Sequence, residues 1–193
     1  MKYLKFFSLL LALASFTMTS CTNDKPKDSE KMADKVNDAK TETNKSEEDA
    51  EMLVNAASSD MYEISAGETA AMMATQPSVK EFANMMVTMH RTMSEETKML
   101  AAKKAYTLPT MMANDYMDDV KDMKKWAKGK EFDTKYINGQ IDQHQKMLDG
   151  IEKRMAATVD NDIKMWAQKA SSGVRMHLDK AKMIDEELDK MYK

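Results

Sequence analysis

The chain has 193 residues, with 42% hydrophobic, 32% charged and 7% aromatic side chains, five Gly, three Pro and one Cys. So few turn-formers cannot punctuate a many-stranded sheet, and a lone Cys builds neither a disulfide framework nor a cysteine-based zinc or iron–sulfur site. A formal charge of −3 lacks the basic surface that nucleic-acid binding needs, which leaves an all-helical, methionine-heavy domain with appendages.

Residues 1–20, MKYLKFFSLLLALASFTMTS, have the build of a sorting signal. Lys2 and Lys5 form a basic start, and the apolar run from Phe6 to Phe16 is shorter than the roughly 20 residues of a spanning helix. The run closes on Met18-Thr19-Ser20-Cys21, which resembles a bacterial lipobox with Met in place of the commoner Leu. That resemblance implies cleavage before Cys21 and acylation of its thiol and new amine, a membrane anchor without a spanning helix. Thr22 stands where an inner-membrane retention Asp would be, which points to the outer membrane facing the periplasm. Loss of Lys2 and Lys5 would leave 27 basic against 32 acidic residues, with little affinity for anionic headgroups.

From residue 21 to 46 the chain is polar and mixed in charge, and it is expected to be a disordered tether. The bundle domain is assigned to 47–193. Ser46 with Asp49 resembles a capping box, and apolar residues at steps of three and four then predict a helix over about 47–75. Its stripe is Ala50, Val54, Ala57, Met61, Ile64, Glu68 and Ala71. Pro77 suits the first turn of a second helix over about 77–105, with Val79, Ala83, Met86, His90, Met93, Thr97 and Leu100 inward. A further amphipathic run over about 111–127 carries Met112, Tyr116, Val120, Met123 and Trp126. Helices over about 130–156 and 161–191 follow, with Asp160 as N-cap of the last. The run over 111–127 is long enough to return along the bundle and set the helices on either side of it parallel. The expected fold is therefore all-α, a four-helix bundle of ferritin-like type with an additional crossover helix; an up-and-down five-helix array is the competing topology.

The three histidines, His90, His144 and His177, each fall in an inward slot of a different predicted helix. Counting residues from the turns places them within about one helical turn of a common depth. On the first helix Glu63 matches that depth, whereas Glu68 fits the apolar stripe better, so both are candidates. Imidazoles from facing helices with one carboxylate suit copper, zinc or iron. The residues three before each His are Val87, Ile141 and Val174, so the Glu-x-x-His of a di-iron centre is absent. The alternative is three core histidines that only pack, in a structural or interaction module of the envelope.

Beyond residue 20 there are 20 Met and six Leu. Met86 and Met93 share the face of His90, and thioethers with imidazole suit Cu(I). The Met are scattered over every helix, however, so adaptable core packing is favoured over a dedicated ligand set. No phosphate loop, nucleophile elbow or H-E-x-x-H occurs, and the chain is expected not to be an enzyme.

The segments DMYEISAGETAA, PSVKEFANMMVTMHRTM, LAAKKAYTLPT, KGKEFDTKYINGQIDQHQKML and KMWAQKASSGVRMHLDKAKMI are spread from Met52 to Leu188. Together they resemble the domain-of-unknown-function 4142 family of bacterial envelope proteins. The resemblance implies a ferritin-like bundle and favours Glu63 over Glu68, but brings no settled activity. That family commonly has an acidic residue before its first two histidines, where this chain has Met89 and Gln143, and a Pro before the third, where it has Ser172.

Overall fold

A computed structural model describes residues 28–192 and contains six helices among them. They are α1 (Ser29–Asp38), α2 (Asn44–Met73), α3 (Pro77–Lys104), α4 (Asn114–Met123), α5 (Lys130–Ala157) and α6 (Asn161–Met191). The sorting signal, Cys21 and its acylation lie outside the described residues. No helix among those described is long and apolar enough to cross a membrane.

Helices α2 and α3 form one antiparallel hairpin and α5 and α6 another, each closed by a three-residue turn that keeps its arms adjacent. Polar ties at the two ends fix how the hairpins are stacked. At one end the buried Asp133, at the start of α5, caps the α2–α3 turn. Its carboxylate accepts from Thr75 N (2.9 Å), Thr75 Oγ1 (2.6 Å) and Gln76 N (3.1 Å). Tyr192, just past α6, reaches the same group, its hydroxyl donating at 3.3 Å. At the opposite end Lys104, the last residue of α3, pairs with Asp160 and Asp162 at the start of α6. Asp49, near the start of α2, accepts from Arg154 Nε and Thr158 Oγ1, both at 2.8 Å. Thus α3 and α5 run parallel, and the link between them must traverse the bundle. This is the one-crossover topology of ferritin-like bundles rather than the up-and-down array.

The crossover is shorter in helix than the periodicity predicts. Helix α4 ends at Met123 instead of continuing to 127, and begins at Asn114 rather than 111. Extended residues cover more than twice the length per residue of helical ones, so a helix of about 15 Å with extended flanks completes the return. The extended flank is held by side chains: Ala113 N donates to Ser58 Oγ at 2.9 Å, and Tyr116 stacks on Tyr62 with centroids 4.6 Å apart.

Two further expectations are corrected. Residues 29–38, assigned to a disordered tether, form α1, which packs on α2. Its buried face is Ala33 and Asn37, while Met32 and Val36 are exposed, so its apolar residues do not mark the docked side. Asn37 reproduces a backbone pairing, its Nδ2 donating to Thr107 O (2.9 Å) while Thr107 N donates to its Oδ1 (2.7 Å). Helix α2 also starts earlier than Ser46. Thr43 is the N-cap and exchanges side-chain bonds with Ser46 at 3.2 Å each way, while Asp49 turns inward to Arg154. The predicted N-cap at Asp160 is observed, accepting from Asp162 N and Ile163 N.

The core divides into two apolar clusters. One, at the Asp133 end, includes Ala66, Val79, Phe82, Met86, Phe132, Ile137, Ile184 and Leu188. The other, at the Asp160 end, includes Leu53, Ala101, Leu148, Ile151, Ile163, Ala167 and Val174. Between them each of the four long helices contributes buried polar residues: Asp60 and Glu63 from α2, His90 from α3, Gln140 and His144 from α5, and His177 from α6.

Candidate metal centre

All three histidines are fully buried in this middle layer, and one nitrogen of each ring lies within 4.8 Å of one nitrogen of the others. Their centroids are separated by 5.8 Å (His90–His144), 5.1 Å (His90–His177) and 5.3 Å (His144–His177). The level ends of the two hairpins bring this about, because counting inward from the Asp133 cap puts His90 and His144 at matching depth on parallel helices.

One nitrogen of each ring is engaged, and the partner decides where the proton sits. His144 Nδ1 donates to the Gln140 carbonyl at 2.9 Å, an oxygen that can only accept. His90 Nδ1 lies 2.8 Å from Asp60 Oδ1, and His177 Nε2 lies 3.2 Å from the thioether Sδ of Met89, an acceptor only. With the proton on the engaged nitrogen, a neutral ring carries its lone pair on the other: His90 Nε2, His144 Nε2 and His177 Nδ1. None of these three has a hydrogen-bond partner among the described residues. Burial, reinforced by the neighbouring imidazoles, pushes His144 and His177 down to about 3, so both rings are neutral across the ordinary pH range. A carboxylate on one imidazole and a backbone carbonyl on another are the outer partners that commonly orient metal-binding histidines.

Of the two glutamate candidates on α2, Glu63 is the one inside. It is fully buried and accepts from Gln140 Nε2 at 2.8 Å through Oε2, while its Oε1 is unpartnered. It stands beside the histidine group rather than within the mutual 4.8 Å set. Burial raises its pKa, against the pull of His90 and the Gln140 bond. Glu68 is outside the core, exposed and paired with Arg91 at 2.6 Å. The inward face of α2 passes through Asp60, Glu63, Gly67 and Ala70, one residue before the predicted slots at Met61, Ile64, Glu68 and Ala71. The cause is Gly67, where a Cβ would stand 2.8 Å from Val87 Cγ2 and 3.0 Å from Ala83 O, so only a bare Cα lets α3 approach. Met86 packs wholly within the apolar cluster at the Asp133 end, and Met93 is half-buried against the other cluster, its sulfur near Gly173.

Three residues of the layer escape a reading by apolar period: Asp60, Met89 and Gln140. Two signals could have found Asp60 and Gln140, and none marks Met89. Asp60 and Glu63 are acids one turn apart on a helix otherwise poor in charge toward the core, and Gln140 precedes His144 by four residues on the same face. Of the eight buried side-chain polar atoms without a partner among the described residues, seven belong to this layer or to Tyr136 one turn away. Buried polar groups are ordinarily paired, so this concentration of unused bonding capacity makes the layer the candidate site. Neither Asp60 nor Glu63 has a Lys or Arg partner among the hydrogen bonds and ion pairs of the described residues. The layer is therefore anionic when both are ionised.

A one-crossover helical bundle with a buried tri-histidine layer is the class of protein defined by this fold and site. The chain belongs to the family described as domain of unknown function (DUF4142), which it matches over residues 34–184, a span that includes the whole layer and the second half of α1. No curated protein and no solved structure matches it.

Proposed function

We propose that the middle layer binds a transition-metal ion, copper, zinc or iron, through His90 Nε2, His144 Nε2 and His177 Nδ1, for buffering or stress protection. The carrying observation is the convergence of three buried, oriented imidazoles, each with a nitrogen that has no partner among the described residues. Asp60 and Glu63 lie outside the ligand set, Asp60 bonded to His90 and Glu63 to Gln140. Closing three Zn–N bonds of 2.0–2.1 Å needs the nitrogens to approach to roughly 3.4 Å, a change within reach of small ring rotations. Packing alone accounts less well for the layer, since an unpartnered buried polar atom costs about 1–3 kcal/mol.

The test is metal analysis of tag-free protein, beside a His90→Ala/His144→Ala/His177→Ala variant shown by circular dichroism to be folded. About one ion per chain, lost in the variant, is expected. Near-zero content in both, after incubation with each candidate ion, overturns the reading. We also propose that Cys21 carries the lipid anchor, placing the bundle on the outer membrane facing the periplasm. Cys21→Ser should then release the protein from the membrane fraction, and retention there would refute the anchor.

A further inference from the structure

The layer is sealed, each of the three histidines having no exposed surface, so an ion needs a way in. A groove of about 200 Å³ lies between α3 and α6 on the outer face of the bundle. Its α3 wall is Thr88, Met89, Thr92, Met93 and Glu96, and α6 contributes Trp166, Lys169, Ala170 and Gly173. The exposed Lys169 and the half-buried Glu96 form an ion pair across its outer part. Further in, the Met93 sulfur would stand 3.8 Å from a Cβ at Gly173, so the missing side chain leaves this stretch open. One turn deeper the half-buried Met89 lines the groove while its sulfur meets His177 Nε2 at 3.2 Å. Met89 is thus the residue that both faces the groove and touches the histidine group.

We infer that the α3–α6 groove is the loading path to the histidine layer, that Met93 and Met89 pass the ion inward, and that the path selects soft monovalent ions, Cu(I) and Ag(I). The inference rests on the metal reading of the preceding section. Thioethers bind Cu(I) and Ag(I) well and Zn(II) poorly, and two of them one helical turn apart form a relay. An ion held by Met89 Sδ takes the lone pair that His177 Nε2–H uses as acceptor. Freed from that bond, the ring can turn about χ2 and bring its unprotonated nitrogen to the ion.

The experiment mixes tag-free full-length protein with Ag(I) or Zn(II) for timed intervals, stops with excess chelator, desalts, and counts retained ion. Met89→Leu keeps volume and apolarity while removing the sulfur. It is expected to load Ag(I) about tenfold more slowly, reaching the wild-type final occupancy, and to change Zn(II) loading by less than about twofold. Met86→Leu, a core thioether away from the groove, should match wild type for both ions. Wild-type Ag(I) rates in Met89→Leu overturn the inference, as does equal slowing in Met86→Leu. Retention of Zn(II) but not Ag(I) by the wild type removes the soft-ion path and leaves the metal reading standing. Retention of neither removes both.

Discussion

Asp133 is where the fold and the site meet, and replacing it tests the geometry that levels the histidines. Its buried carboxylate accepts two backbone N–H bonds and two hydroxyl bonds from the α2–α3 turn and Tyr192. Hydrogen bonds to a charged acceptor contribute about 1.5–3 kcal/mol each, but the sum is not additive. Thr75 is exposed and Gln76 half-buried, so water recovers part of the loss. Asp133→Ala should therefore cost about 3–5 kcal/mol, and Asp133→Asn, which keeps one acceptor oxygen but turns an NH₂ toward donors, about 2 kcal/mol. At roughly 2–4 °C per kcal/mol for a chain of this size, Tm should fall by about 8–16 °C for a 4 kcal/mol loss. Urea unfolding followed by circular dichroism, with the m-value unchanged, gives the free energy directly. A loss below about 0.5 kcal/mol for Asp133→Ala, typical of an ordinary surface change, would refute the idea that this carboxylate sets the register of the helix ends.

Three other outcomes follow from local geometry. Gly67→Ala should destabilise by about 1–2 kcal/mol despite the better helix propensity of Ala, because the new Cβ meets Val87 and the Ala83 carbonyl; a gain in Tm would show that α2 and α3 are not in such close contact. Ala105 ends α3 with φ of 58°, a left-handed conformation that disfavours a side chain, so Ala105→Gly should add about 0.5–1 kcal/mol, and a loss in denaturant titration would contradict the cap. Asp34 on α1 is pushed up to about 6 by burial and then by Glu51, Glu30, Asp38 and Asp28. A carboxyl with a raised folded pKa binds its proton more tightly in the native state, so docking of α1 should be strongest below about pH 4 and weaken as pH rises through 6. Hydrogen exchange of α1 amides, corrected for intrinsic rates, should show more protection at pH 5 than at pH 7.5, and Asp34→Asn should remove the difference; protection that rises with pH would refute it.

The long helices were legible because their inward faces carry apolar residues at a steady period, and the histidines stood out as breaks in that period on three helices. Depth could be counted because both hairpin turns are short. What escaped has a common physical character. Helix α1 is docked by amide and hydroxyl bonds from Asn37 and Ser29, which leave no hydropathy trace. The face of α2 was misplaced by one residue after Ala57, because close approach at Gly67 rather than the bulk of Met61 and Ile64 decides which side meets α3. That error also favoured the exposed Glu68 by face. Asp60 and Gln140 were missed because a polar residue in an apolar layer reads as noise until its partner's position is known.

If three imidazoles share one ion, X-ray absorption on tag-free protein loaded with one equivalent of zinc reads that sharing from the metal itself. The expected spectrum has three nitrogen neighbours at about 2.0–2.1 Å with the outer-shell scattering of imidazole rings, abolished in the triple His→Ala variant. An oxygen shell without imidazole scattering, or the same spectrum from the variant, would contradict it.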